Sequence, residues 1–288
     1  MLCCVEEELE EIETGIFNHL HQFRLALGSD ESVATDLLDF DPGYEESHFK
    51  VGLYLFERDM YQEAIFSFKN AIRFDNLELL DRIEATYQCG VAHQELDNVK
   101  LAKKWYMKTL TMNEVHFLAS YNLGTLYLAE GNPEKAASAL TKAHLVEPTD
   151  VETLLNLGLA FKQSGETDDS IRCFKSCLQQ DEEFIPAFMQ LASTYHDMHL
   201  FHKATMFYNK ALAVEPFNGD ALCGLGTCYL DQSDTLNGQL KKKYVKAALH
   251  SFLTARDKGC DMEESMVSFT NKSIEFLRAE LQTMYAYK

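Results

Sequence analysis

Three histidines in the second half of the chain have a residue type and a spacing that could bind a metal ion. His196, His199 and His202 recur every three residues, and Asp197 lies beside the first of them. Imidazole nitrogens and carboxylates are ligands that zinc accepts, so the cluster raises the hypothesis of a zinc site. The secondary structure around these residues determines whether the three rings can converge on one ion.

Two cysteines and the many acidic residues are the other groups that could do chemistry. Cys173 and Cys177 lie four residues apart and would share one helical face. Pairs of Asp and Glu are frequent, but a carboxylate acts as an acid or a base only where a cleft raises its pKa. The sequence has no phosphate-binding loop, dinucleotide fingerprint or nucleophile elbow. We therefore expect no catalytic residue and no cofactor.

The charge balance argues against polyanionic partners. The chain has 26 Lys and Arg against 45 Asp and Glu, a formal net charge of −19. That charge would repel nucleic acids and anionic membranes and would favour basic or neutral protein surfaces. Thirteen acidic residues and only Arg24 and Lys50 as Lys or Arg fall within residues 1–50, a net charge of −11. This segment is either a solvated acidic face or a docking surface for a basic partner.

Cysteine usage and hydropathy predict a cytoplasmic protein. Five of the eight cysteines fall at helical positions that suit small apolar residues, which is typical of free thiols in a reducing compartment. The start of the chain, where Met1-Leu2-Cys3-Cys4-Val5 leads into Glu6, does not resemble a signal peptide. No apolar run approaches the ~18 residues of a membrane-spanning helix.

A 34-residue period organises most of the chain. Leu123-Gly124-x-x-Tyr127 is followed 34 residues later by Leu157-Gly158-x-x-Phe161, and then by Leu191-Ala192-x-x-Tyr195 and Leu225-Gly226-x-x-Tyr229. Further small residues and aromatics follow in phase. The phase extends back to Gly90 and, after a step of 38, to Gly52. The matching positions of the second half of each period are Ala64, Phe68, Ala71, Ala102, Tyr106, Thr109, Ala136, Leu140, Ala143, Ser170, Phe174, Cys177, Ala204, Tyr208 and Ala211.

This pattern closely resembles the tetratricopeptide repeat (TPR), a helix–turn–helix unit of 34 residues. The resemblance implies an all-α fold, a right-handed superhelical TPR solenoid with helical caps at both ends. We expect an acidic N-terminal helical cap over residues 1–44, six repeats over 45–262 and a C-terminal capping helix over 263–288. The predicted repeats are 45–82, 83–116, 117–150, 151–184, 185–218 and 219–262, the last with an insert at 233–243.

The period also bears on the metal hypothesis. Seven residues past the small residue of each repeat, a helix would end in a left-handed residue. That position is occupied in turn by Asp59, Asp97, Gly131, Gly165 and His199. A turn at His199 would place its two neighbouring histidines on different helices. Cys177, near the end of the fourth repeat, takes the place of a core alanine. The repeat therefore favours turn and core packing over a metal site.

The ends and the insert carry further expectations. An amphipathic helix is predicted over 5–27. Apolar residues from Met266 to Met284 predict a final helix that packs on the sixth repeat. The insert ends in Lys241-Lys242-Lys243 and is either a tolerated surface loop or a partner contact.

The resemblance implies that the first helix of each repeat lines a concave groove. Counting three residues before, one after and four after the small residue selects one stripe of each first helix. These positions predict an apolar groove with an acidic rim, the site of partner binding. The predicted groove residues are Phe49, Leu53, Phe56, Tyr87, Val91, Gln94, Tyr121, Thr125, Leu128, Leu155, Leu159, Lys162, Met189 and His196.

The groove chemistry predicts a protein scaffold or adaptor. The partner would be an extended or helical segment with apolar anchors and basic residues. Some TPR co-chaperones grip a chaperone's C-terminal carboxylate with Lys, Asn and Arg, but Tyr87, Val91, Tyr121 and Thr125 at the matching positions cannot do so. Three alternatives stay open: the N-terminal helix covers the groove, the protein is a chaperone for a client, or copies associate through terminal repeats. An enzymatic role is the least favoured.

Overall fold

The computed structural model describes residues 45–73, 77–258 and 264–286. The predicted N-terminal cap over 1–44, with its helix over 5–27, lies outside the described residues. The described residues form thirteen α-helices and no strand. In chain order the helices are α1 Glu45–Phe56, α2 Tyr61–Arg73, α3 Leu79–Glu95, α4 Val99–Met112, α5 Phe117–Ala129, α6 Pro133–Val146, α7 Val151–Gln163, α8 Thr167–Gln180, α9 Ile185–Asp197, α10 Phe201–Val214, α11 Gly219–Asp234, α12 Gly238–Lys258 and α13 Glu264–Ala286.

The chain forms two compact units, divided between Asn122 and Leu123 within α5. In the first unit α1 packs against α2, α2 against α3, and α3 against α4. In the second unit each helix from α6 to α13 packs against the next. Contacts between neighbours in sequence are those of an all-α TPR solenoid, as the repeat pattern predicts. We propose that the pairs α1–α2 to α11–α12 correspond to the six predicted repeats.

Small residues allow the two helices of a pair to approach closely. A Cβ atom built on Gly158 would lie 2.5 Å from Cε1 of Phe174, and one on Gly124 would lie 2.5 Å from Cγ of Leu140. The large side chain from the second helix therefore occupies the space that a Cβ would need. Phe174 and Leu140 are fully buried. The predicted close approach at the small residue is confirmed.

The turns inside the repeats have the predicted left-handed residues. Asp59, Asp97 and His199 have φ values of 60°, 58° and 58°, and Gly131 and Gly165 have 71° and 82°. At Gly131 the backbone N–H donates to Leu128 O at 3.0 Å, and the next N–H donates to Tyr127 O at 2.9 Å. This pair of bonds is the Schellman motif, which satisfies carbonyls at a helix C-terminus.

The last pair of helices is longer than the others in the second unit. α11 has 16 residues and α12 has 21, whereas the helices from α5 to α10 have 13 or 14. The predicted insert at 233–243 therefore lengthens two helices around a short turn at 235–237, and α12 begins at Gly238, whose φ is 63°.

The last described helix, α13, lies where the final helix is predicted, and its buried side lies on α12. Ile274 and Leu277 join Val245 and Phe252 in one buried cluster. This contact covers an apolar face of the last pair, as a terminal helix of a repeat array must.

Candidate partner-binding surface

The predicted groove positions differ in how much surface they offer. Phe49 and Tyr87 are each only 8 % exposed. The other twelve are half-buried: Leu53, Phe56, Val91, Gln94, Tyr121, Thr125, Leu128, Leu155, Leu159, Lys162, Met189 and His196. A half-buried side chain packs against the rest of the protein on one side and leaves part of its surface accessible to a partner. Because the two buried rings offer little surface, they support the fold and are not part of the surface proposed below.

A hydrogen-bond network explains the burial of Tyr87 in the first unit. Its ring centroid lies 5.9 Å from that of Tyr106 and 4.9 Å from that of His116. The Asn122 amide donates to the phenol oxygens of Tyr87 and Tyr106 at 3.3 and 3.2 Å. Tyr106 donates in turn to Oε1 of Gln94 at 2.9 Å. Burial raises the pKa of both tyrosines, so both phenols stay protonated.

Apolar side chains occupy three of the predicted groove positions of α7 and α9 in the second unit. Leu155 and Leu159 of α7 and Met189 of α9 pack with one side against the buried cluster around Phe188 and Leu191. The two helices contact one another. The three half-buried side chains therefore form an apolar strip on adjacent first helices, and we call these three residues the α7–α9 strip.

Polar groups continue from this strip at the C-terminal ends of the same helices. Lys162 Nζ lies 3.0 Å from the carboxylate of Asp197 and donates to Ser193 Oγ at 2.8 Å. His196 Nε2 lies 2.7 Å from the carboxylate of Asp231 on α11. In both pairs the acid follows its partner by 35 residues. The 35-residue spacing was the signal that could have identified Asp231, which the groove count missed.

The histidine cluster is separated by the turn, as the repeat phase predicts. His196 is in the last turn of α9, His199 is in the left-handed position, and His202 is exposed on α10. Within the described ranges, no group of three or more His, Cys, Asp or Glu side chains could hold a metal ion.

The paired cysteines of α8 have the environment of packing residues. Cys177 is fully buried, and its Sγ lies 3.5 Å from the backbone oxygen of Val151. Burial raises the pKa of Cys177 to about 12 and that of Cys173 to about 11. Since the thiolate is the nucleophilic and metal-binding form, both groups are suppressed as reactive sites.

Comparison with known proteins identifies the repeat. Family models described as tetratricopeptide repeat match residues 119–150, 153–184 and 185–218. Over these residues the chain is a tetratricopeptide repeat protein. The matched TPR segments include α7 and α9, which carry the α7–α9 strip. In the described part of this TPR protein, none of the helices has the length and apolarity needed to cross a membrane.

Solved structures share the TPR fold. YrrB, described as a TPR protein with an unusual peptide-binding site, is 22 % identical, with a TM-score of 0.56 over 61 % of this chain and 89 % of that one. MamA from Desulfovibrio magneticus RS-1 is 22 % identical, with a TM-score of 0.55 over 60 % of this chain and 95 % of that one. At this identity the likeness shows the fold alone.

The curated relatives include an enzyme. It is a probable UDP-N-acetylglucosamine–peptide N-acetylglucosaminyltransferase, SPINDLY, from Hordeum vulgare, and it is 28 % identical over 141 residues. The match covers 46 % of this chain but only 15 % of the relative. The chain therefore spans a small part of that protein's length.

Proposed function

We propose that this TPR protein is an interaction scaffold that binds an extended or helical segment of a partner protein on the α7–α9 strip. The observation that carries the proposal is the row of Leu155, Leu159 and Met189, held by the core on one side and open on the other. Apolar side chains presented in a row on a folded surface favour association with a partner's apolar anchors.

Charge defines the rest of the partner. Glu152 and Asp220 are exposed at the N-terminal ends of α7 and α11, and Asp197 is exposed at the C-terminal end of α9. With a formal net charge of −19, the chain should attract Lys and Arg next to the apolar anchors. The expected ligand is therefore a short segment with aliphatic or aromatic anchors and basic neighbours. YrrB, which shares the fold, is described as having a peptide-binding site, so a peptide ligand is compatible with this fold.

We propose no catalytic step for this chain. The match to the barley transferase covers only 15 % of that protein, so its activity does not transfer to this chain. The side chains of the most reactive types are also held in other roles. His196 lies against Asp231, and burial raises the pKa of the Cys177 thiol. Binding is the activity that the α7–α9 strip itself supports.

Site-specific photocrosslinking tests the proposal. A photoreactive phenylalanine analogue replaces Leu159 in one variant and Leu145, which is 75 % exposed on α6, in the control. We expect Leu159 variants to crosslink to one short partner segment with apolar and basic residues, and Leu145 variants not to do so. Equal crosslinking from both positions, or none from Leu159, would contradict the proposal.

A charge variant then measures the strip's contribution. Leu159→Glu places a carboxylate among apolar side chains and should weaken binding of the crosslinked segment, synthesised as a peptide, about tenfold or more. Leu145→Glu is the matched control and should bind as the unaltered protein does. A thermal melt of each variant separates loss of the surface from loss of the fold.

A further inference from the structure

Helix α4 of the first unit is basic although the chain is strongly acidic. Its 14 residues include Lys100, Lys103, Lys104 and Lys108 and contain no Asp or Glu. All of these lysines except Lys103 are exposed. In a chain with 45 acidic and 26 basic residues, a solvated helix face would ordinarily mix both signs. The concentration of one sign on α4 therefore points to a specific role.

Apolar side chains lie among these lysines. One side of the helix, defined by the three- and four-residue spacing, carries Leu101, Lys104, Trp105 and Lys108. Leu101 is 44 % exposed, and Trp105 is half-buried against the core of the first unit. This side of α4 combines positive charge with a large aromatic surface.

Helix α2 extends the same surface. Lys69 Nζ lies 5.8 Å from the Trp105 ring centroid, and Lys108 Nζ lies 4.7 Å from it. Two cations thus lie close to the ring, and cation–π attraction favours this arrangement. Phe66, three residues before Lys69 on α2, is 41 % exposed. We call the following six residues the Trp105 face: Phe66, Lys69, Leu101, Lys104, Trp105 and Lys108.

We propose that the Trp105 face is a second docking surface, one that binds an acidic segment of a partner protein. The partner's Asp and Glu side chains lie against Lys69, Lys104 and Lys108, and its apolar side chains lie on Trp105 and its neighbours Leu101 and Phe66. The surface belongs to the first unit and selects the opposite charge from the α7–α9 strip. It therefore does not depend on the proposed function of that strip.

The interleaved apolar residues favour a protein over a nucleic acid. A duplex backbone offers phosphates to the lysines but no apolar group to Leu101 or Phe66, and the net charge of −19 repels a long polyanion. A short acidic segment with Leu or Phe anchors carries less charge and covers both kinds of side chain. Trp is also among the residues that most often dominate binding energy at protein interfaces.

Trp105 provides the readout, because it is the only tryptophan of the chain. The probe is a labelled synthetic peptide in which Asp and Glu flank a helical row of Leu and Phe. We expect saturable binding by anisotropy, a change in Trp105 emission with the same midpoint, and an affinity that weakens as salt rises. Binding without any change in Trp105 emission would overturn the proposal.

Charge-reversed variants locate the site. Lys104→Glu with Lys108→Glu should weaken peptide binding at least about tenfold. Lys142→Glu with Lys175→Glu, two exposed lysines on α6 and α8, is the matched control and should leave binding unchanged. Thermal melts confirm that both proteins fold. Equal loss in the two variants, or in neither, would overturn the assignment of the site.

Two further ligands test the partner class. A peptide with the same acids but Ser in place of Leu and Phe should bind at least about tenfold more weakly, since it lacks the apolar anchors. A labelled DNA duplex should bind more weakly than the acidic apolar peptide at the same salt. If the duplex binds as tightly and loses binding in the Lys104/Lys108 variant, the face is a nucleic-acid site and the proposal is wrong.

Discussion

His196 Nε2 lies 2.7 Å from the carboxylate of Asp231, 35 residues further along the chain. Lys162 repeats this relationship with Asp197, also 35 residues away, at 3.0 Å. Each pair joins the first helix of one helix pair to the first helix of the next. Since the acid and the base occur in the same register twice, the second unit has a polar ladder beside the α7–α9 strip.

The ladder should contribute little to stability because it is partly open to solvent. The Asp231 side chain is 40 % exposed. Asp231→Asn should lower the free energy of unfolding in urea by no more than about 1 kcal/mol. Asp234→Asn is the control, because this more exposed acid lies 3.9 Å from Lys241 and should have no measurable effect. A loss several times larger for Asp231→Asn would show that the pair is buried in solution.

Gly158→Ala tests the close approach of α7 and α8. The added Cβ would lie 2.5 Å from the buried Phe174 ring. Alanine should gain up to ~1 kcal/mol of helix propensity over glycine, so a net loss of about 1–3 kcal/mol in a urea titration would identify overpacking. Ser138→Ala, at an exposed position of α6, should change stability by less than about 0.5 kcal/mol. A Gly158→Ala protein as stable as the unaltered one would place the small-residue contact elsewhere.

His93 should make the first unit less stable at acidic pH. The ring is buried, and both of its nitrogens are without a hydrogen-bond partner among the described residues. Burial, and then the charge of Lys69, lowers the pKa of His93 below its ordinary 6.5. The unfolded state therefore takes up a proton at a higher pH than the folded state does. The contribution of neutral His93 to the free energy of unfolding is full above pH 6.5 and falls as the pH drops below that value.

His93→Leu should remove this pH dependence. Urea titrations of the two proteins should show the variant gaining stability relative to the unaltered protein between about pH 7.5 and about pH 5.5. His116 is a second histidine of the same unit whose pKa burial lowers, so part of the slope should persist in the variant. A difference between the two proteins that does not vary with pH would exclude the proposed role of His93.

The buried thiols should resist alkylation in the folded protein. Burial raises the pKa of Cys89, Cys177 and Cys228 to about 12 in each case. At mildly alkaline pH their thiolate fraction, and so their labelling rate with iodoacetamide, should be at least about a hundredfold below that of an exposed thiol. Mass spectrometry of peptides from pulse-labelled protein measures each rate, and labelling in urea is the control. Fast labelling of Cys177 in the folded state would contradict its core position.

Much of the fold could be predicted from spacing alone. The 34-residue phase predicted the small residues that meet Phe174 and Leu140, and it predicted left-handed turns even at His199, where the residue type suggests a metal ligand. It succeeded because these features are local: a helical period of 3.6 residues and a short turn specify which residues of one hairpin meet. The final helix α13 was predictable for the same reason.

The tertiary structure decided which of the predicted groove side chains remain partly exposed. The count that selected Leu159 also selected Tyr87, but the phenol of Tyr87 reaches Asn122, and its ring lies against those of Tyr106 and His116. Periodicity places a residue on a stripe of its helix, whereas its burial depends on how far side chains of other helices reach over it. The same limit applies to the Trp105 face, because only packing brings Lys69 of α2 to the ring on α4. The sequence by itself determined the helices, their pairing and their turns. The tertiary structure decided which side chains are paired, buried or open, because pairing and burial depend on contacts between residues far apart in the chain.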